Sequence, residues 1–386
     1  MHKAKKIRPL VKRMGSEIQD DFLSKLSPAV DTATGAFILL IAILSIFGNS
    51  VVLLVAAKKS SQLKPPELLT VNLAITDFCS AVTMYPLAVG SAWKHTWLGG
   101  DSSCKYYGFM DFFFGIASIG TLTVMAIVRF LVTSTTQNYG RRINRNIISA
   151  AIALVWLYAL IWAVLPLVGL GLYGPEPFGI SCTLAWSELY SSANSMSFIV
   201  ASFILCTLLP TVIIATCYTG IAWKLHKAYH EIHNNQQVII SVKIDRKITQ
   251  MAVLVSLGFI GCWAPYATVS FWSIFNSNTQ IPPVVSLLLC LFAKSSTVYN
   301  PIIYYTFSTT FQREAKKCLW CCDKKVHSST IQDLPLRPQA ATWPAWDNVQ
   351  SLSIFNANQS PIRQHKNQDK TTIHLPSNIS ECDSFH

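Results

Sequence analysis

The chain has 386 residues, 51% of them apolar or aromatic, and only 13% are Asp, Glu, Lys or Arg, about half the roughly 25% of a soluble globular domain. That balance argues against a water-soluble enzyme. The 31 basic residues outnumber the 19 acids for a net charge of +12, but they sit in short patches between long apolar runs, which fits loops at an anionic membrane better than nucleic-acid binding.

A membrane crossing takes about 20 apolar residues, and seven stretches meet that length: 36–57, 68–92, 104–134, 147–170, 195–223, 244–274 and 283–306. Residues 1–35 precede them as a tail without a signal-peptide core, so the first span is expected to serve as the insertion signal. The first, third and fifth links carry Lys58, Lys59 and Lys64, then Arg141, Arg142 and Arg145, then Lys224, Lys227 and Lys243, whereas the second and sixth share only Lys94 and the fourth has no basic residue. Basic loops stay on the cytoplasmic side, which predicts an extracellular N-terminus and a cytoplasmic C-terminus in the cell membrane. The tail opposes this with Lys3, Lys5, Lys6, Arg8, Lys12, Arg13 and Lys25. Six of those seven lie more than about 20 residues from the first span, where the bias weakens, and translation from Met14 would remove them.

Residues 307–322 follow the seventh span as an amphipathic surface helix, with Arg313, Lys316 and Lys317 on its polar side. Cys318, Cys321 and Cys322 occupy the juxtamembrane position where acylation is common and are expected to be palmitoylated, against the alternative of unmodified thiols. From 323 to 386 the chain is rich in Ser, Gln, Asn and Pro and is predicted to be disordered, and its two sequons, Asn358-Gln-Ser and Asn378-Ile-Ser, fall on the side without glycosylation. The fold class is therefore an all-α membrane protein: a seven-helix bundle with a short helix after span 7.

Ionisable residues inside a span cost about 2.5–3.5 kcal/mol each on insertion scales, so each invites a functional reading. Four stand out: Asp77, Asp111, Arg129 and Lys294. Lys294 lies mid-span in a run of Leu, Phe and Ala, where burial favours the neutral amine and hence nucleophilic attack on an aldehyde. The alternative is a lysine that pairs with Asp111 and only holds helices together. Cys104, Tyr107 and Asp111, spaced i, i+3 and i+7, share one face of span 3.

Gly48-Asn49, Leu73-Ala-Ile-Thr-Asp77, Cys104 and Arg129 at the two ends of span 3, Trp156, Pro210 with Tyr218, Cys262-Trp-Ala-Pro-Tyr266 and Asn300-Pro-Ile-Ile-Tyr304 together resemble the landmarks of rhodopsin-like G-protein-coupled receptors. Lys294, six residues before Asn300-Pro301, is similar to the retinal-binding lysine of opsins, and the stretches 165–186, 112–115 and 293–304 look most like the neuropsin group. The resemblance implies retinal, as the 11-cis or all-trans isomer, on Lys294 as a Schiff base, and a receptor rather than an enzyme, with no catalytic or metal-ligating residue. It implies a disulfide between Cys104 and Cys182. For the counterion it leaves Glu176, Asp111 and Tyr107: Tyr107 stands where vertebrate visual opsins have a glutamate, Glu176 matches the loop glutamate of many non-visual opsins, and Asp111 lies one turn deeper. We expect Asp111 and Glu176 both to tune the site, with Asp111 the closer.

Trp263, Tyr266, Phe112, Phe113, Phe114 and Trp272 are expected to line the retinal pocket, against the alternative of plain packing. Asn49, Asp77, Arg129, Pro210, Tyr218, Ser296, Asn300, Pro301 and Tyr304 resemble the network that links pocket to cytoplasm. A departure lies at the foot of span 3, where the acidic-Arg-Tyr motif reads Val128-Arg129-Phe130, which implies raised dark activity or lost coupling. The partners implied are a heterotrimeric G protein, arrestin, a receptor kinase and membrane lipid; nothing points to nucleic acid, and the residues do not specify a dimer. Two rivals remain: a retinal photoisomerase, favoured by the altered motif, and an amine receptor using Asp111, disfavoured by the neighbouring Lys294.

Overall fold

In the computed structural model, which describes residues 21–134, 143–185, 193–231, 236–275 and 281–320, helix forms wherever the apolar stretches fall. The helices are α1 Pro28–Lys58, α2 Glu67–Lys94, α3 Gly100–Ser134, α4 Arg145–Val164, α5 Ala193–Ser202, α6 Leu209–Glu231, α7 Gln236–Phe275, α8 Pro283–Lys294, α9 Ser296–Phe307 and α10 Thr309–Trp320. A six-residue π turn, Phe203–Leu208, joins α5 to α6 as the fifth span, and the single residue Ser295 interrupts the seventh span between α8 and α9. Among the described residues, seven helical spans are long and apolar enough to cross a membrane. Arg141, Arg142, Cys321, Cys322 and both sequons lie outside the described residues.

The first helix begins eight residues before the apolar run does. Ser27 caps it by accepting the Val30 N–H, and Pro28 follows where its missing N–H costs nothing. Asp31 and Thr34 are buried in its first two turns. Asp31 is held by Ser24 Oγ at 2.9 Å and lies 3.0 Å from His95 Nδ1. The segment ahead of α1 is threaded between loops, since Trp97 N–H donates to Phe22 O and Lys25 N–H to Phe178 O.

One cluster, with Val52, Leu73, Leu122, Ile148, Ile214, Val255 and Tyr304 among its members, takes a buried residue from every span. Polar side chains tie the same helices: Asn72 Nδ2 donates to Thr121 Oγ1 at 2.8 Å, and Trp156 Nε1 to Asn72 Oδ1 at 2.9 Å, linking α2, α3 and α4. The outward faces are apolar as well. In α4, Leu154, Leu157 and Ile161 are more than half exposed while only Ile148, Ala159 and Ala163 are buried. Such a surface suits hydrocarbon and not water.

Across one end of the bundle lies the hairpin β1 Tyr173–Pro175 and β2 Cys182–Leu184, antiparallel, with Pro175 opposite Cys182. The Cys104–Cys182 disulfide ties it to the head of α3. Gly108 lets it lie close, because a Cβ there would meet the Tyr173 ring at 2.6 Å. At the other end Ser308 breaks the seventh span and α10 turns back beneath α1, burying Ala315 and packing Phe311 and Cys318 against Val51 and Val55. Lys59 Nζ lies 3.5 Å from Glu314 Oε1 across that junction.

Candidate functional site

Lys294 closes the last turn of α8 and is 4% exposed. Its Nζ donates to Asp111 Oδ1 at 3.0 Å and sits 5.0 Å from the centre of the Tyr107 ring. An ammonium removed from water needs such partners: a carboxylate to balance the charge, and an aromatic face to contribute a smaller attraction. The i, i+4 spacing on α3 is what lets Tyr107 and Asp111 meet the same lysine. Tyr107 is fully buried and its ring meets Trp97 edge-on.

Glu176 occupies a different place. It lies in the turn of the hairpin, 4% exposed, where Tyr266 Oη donates to Oε1 at 2.6 Å and Ser286 Oγ to Oε2 at 3.4 Å. Its main chain closes the turn through Glu176 N–H to Ser181 O and Gly179 N–H to Glu176 O. Burial pushes its carboxyl up from 4.5 to about 7, opposed by the Tyr266 hydrogen bond and the charge of Lys294. An acid whose folded pKa is raised contributes stability below its unfolded value and loses it as the pH climbs to the folded one. Wild-type melting temperature is therefore expected to fall from pH 4.5 toward pH 7 by more than that of Glu176→Gln, measured on solubilised protein.

Beneath Lys294 lies a small cavity of about 20 Å³, lined by Asp111, Phe114, Gly115, Ser118, Phe259 and Trp263, with Ser80, Tyr85 and Asp77 toward its floor. A Cβ on Gly115 would meet nothing within 4 Å, so α3 leaves open space there. Trp263 stacks on Phe259 and meets Tyr266 edge-on, while its Nε1 donates to Ser296 Oγ at 3.2 Å. Below, Asn300 Nδ2 donates to Asp77 Oδ2 at 2.7 Å and Asn49 Nδ2 to Thr297 O at 3.1 Å. Tyr218 Oη lies 3.2 Å from Ser256 Oγ, and Pro210 is the second residue of α6, just past the π turn. Arg129 is half-buried near the foot of α3.

The aromatic residues divide. Phe114, Trp263 and Tyr266 face the site, whereas Phe112 and Phe113 pack toward Trp162 in α4. Trp272 is 48% exposed on the outside of α7 and is absent from the cavity wall. Helical geometry gives the reason: nine residues at about 100° each put Trp272 half a turn away from Trp263, and successive phenylalanines on α3 cannot share a face. Cys318 is half-buried and packs against Val51 and Val55 of α1. Four contributors had no charge or motif to mark them in the sequence: Tyr85, Thr183, Ser286 and Thr297.

A lysine and a carboxylate are thus paired inside seven spans, under a disulfide-tied hairpin. The profile of the seven-transmembrane receptor (rhodopsin family) matches residues 48–304. Opsin-5 of Mus musculus is 38% identical over 294 residues, 76% of this chain and 78% of that one. The visual pigment-like receptor peropsin of Mus musculus is 31% identical over 333 residues, 86% and 96% of the two chains. The crystal structure of squid rhodopsin superposes with a TM-score of 0.71 at 25% identity, over 80% of this chain and 90% of that one. The chain belongs to the opsins, within the rhodopsin family of G-protein-coupled receptors, and is a multi-pass light-sensing membrane protein.

Proposed function

We propose that this protein detects light through retinal carried on Lys294 and signals to a heterotrimeric G protein. The observation that carries the reading is the buried amine of Lys294, 3.0 Å from Asp111 and beside a small cavity walled in part by Phe114, Phe259 and Trp263. Retinal bound there would supply the absorbing polyene and its light-driven change of shape, joined to the lysine as a Schiff base. The residues suit it: Phe114, Phe259 and Trp263 provide an apolar wall, Gly115 leaves room, and among the described residues Lys294 offers the only ammonium lining the cavity.

Asp111 balances a positive charge on the Lys294 nitrogen, so the pigment absorbs in the visible range. Glu176, in the roof and bonded to Tyr266, acts at longer range and changes its charge near neutral pH. Trp263 lies on the cavity wall two residues before Pro265, whose missing N–H weakens the ladder of α7 and makes that helix the one to swing. The polar groups below, from Asn300 and Asp77 to Asn49, link that motion to the far end of the bundle. By the distribution of loop charge the N-terminus is extracellular, and the cytoplasmic side receives the G protein, with arrestin and a receptor kinase acting there too. The Lys294 ammonium already occupies Asp111, which counts against an amine ligand.

The test is reconstitution with 11-cis and all-trans retinal, followed by absorption spectra and G-protein nucleotide exchange in darkness and after illumination. A visible band that shifts with light, together with light-dependent exchange, supports the proposal. A shifting band without exchange in either condition removes the signalling part and favours the photoisomerase instead.

A further inference from the structure

We infer that Tyr85 is a positioning residue for Lys294, setting where its amine lies by holding its main chain. The inference rests on the retinal reading above, and it starts from the break in the seventh span. In an unbroken helix the Lys294 carbonyl would accept the Val298 N–H, four residues on. Here Val298 N–H donates to Ser295 O at 3.1 Å, three residues back, and Ser295 stands between α8 and α9. The Lys294 carbonyl therefore turns to side chains: Tyr85 Oη donates to it at 3.0 Å and Thr297 Oγ1 at 3.2 Å. The two hydroxyls are themselves 3.3 Å apart.

Tyr85 comes from the middle of α2 and is 1% exposed. A buried phenol must find a partner, and a buried carbonyl out of its ladder must find a donor, so each satisfies the other at a site closed to water. The next free carbonyl in the span has a separate cause. Thr297 O loses its donor because Pro301 has no N–H, and Asn49 Nδ2 replaces it at 3.1 Å. The broken turn is thus gripped by α2 at Lys294 and by α1 at Thr297.

Lys294 is then fixed at both ends, its carbonyl by Tyr85 and its Nζ by Asp111. The side chain between them has four torsions, so a main chain that shifts or rotates must either change those torsions or move the nitrogen relative to its carboxylate. Tyr85 also lines the cavity, yet its hydroxyl is spent on the main chain. Asp111 supplies the charge, and Tyr85 supplies the register in which that charge is met.

The experiment compares wild type, Tyr85→Phe and Thr297→Ala, each reconstituted with retinal, by absorption maximum and by the rate at which hydroxylamine releases the chromophore. Tyr85→Phe keeps the ring and removes only the hydroxyl. It is expected to form pigment, to shift the absorption maximum, and to react roughly tenfold faster, within the range that small misplacements of a reacting group produce. Thr297→Ala, which takes the other donor from the same carbonyl, is expected to change both readings in the same direction, and it decides the matter if Tyr85→Phe does not fold. A tyrosine that merely fills space would leave spectrum and rate at wild-type values in Tyr85→Phe, and that result in both variants overturns the inference. A wild-type protein that forms no pigment overturns the retinal reading itself and this inference with it.

Discussion

A Lys294→Ala receptor is expected to form no pigment with any retinal isomer, and to be less stable than the wild type. The first outcome follows because among the described residues no other amine lines the cavity. The second follows from what stays behind: Asp111, with a side chain 15% exposed, keeps its carboxylate but loses the ammonium 3.0 Å away. Removing one member of a buried pair costs about 3–5 kcal/mol, much more than removing both. The double variant Lys294→Ala/Asp111→Asn should therefore melt closer to the wild type than Lys294→Ala does, while remaining without pigment. Asp111→Asn alone should still accept retinal on Lys294 but absorb in the ultraviolet at neutral pH, because nothing within hydrogen-bond reach then balances a charge on the nitrogen. Equal melting of the single and double variants, measured in the same detergent, would show that the pair is not the coupled unit the geometry implies.

The charges that make this pair were readable in the sequence because a bilayer makes every intramembrane charge expensive. Lys294 and Asp111 stood out against leucine and phenylalanine, and so did the seven spans, whose apolar length is fixed by membrane thickness. Where each span begins was less legible. Ser27, Pro28, Asp31 and Thr34 belong to α1, yet a count of apolar residues stops at 36, since capping and buried hydrogen bonds carry no hydropathy signal. The places of Phe112, Phe113 and Trp272 were illegible for another reason: composition says that aromatics are present, and only the helical angle says which way each one faces. Tyr85 was invisible on both grounds. It is neutral, and its partner is 209 positions away on a carbonyl that becomes available only because the seventh span breaks at Ser295. A break of one residue leaves no reliable mark in a sequence.

Loss of the Cys104–Cys182 disulfide, by Cys104→Ser or by reductant, is expected to be the most damaging change outside the lysine site. The two cysteines are 78 residues apart, and closing a loop of that length restricts the unfolded chain by about 4–5 kcal/mol on the chain-entropy account. Among the described residues the other cysteines, Cys79, Cys206, Cys217, Cys262, Cys290 and Cys318, are free thiols, so a drop in melting temperature under reductant reports on this bond. Its effect should extend beyond stability. Cys182 opens β2, whose partner strand runs into Glu176, so the bond holds the hairpin that keeps Glu176 away from water and against Tyr266. Burial is the largest cause of the raised Glu176 carboxyl pKa. Releasing the hairpin lets water reach that carboxyl and returns it toward 4.5. The difference between wild type and Glu176→Gln from pH 4.5 to 7 should therefore vanish once the disulfide is reduced. If it persists, Glu176 is buried by the helices below it and not by the hairpin above.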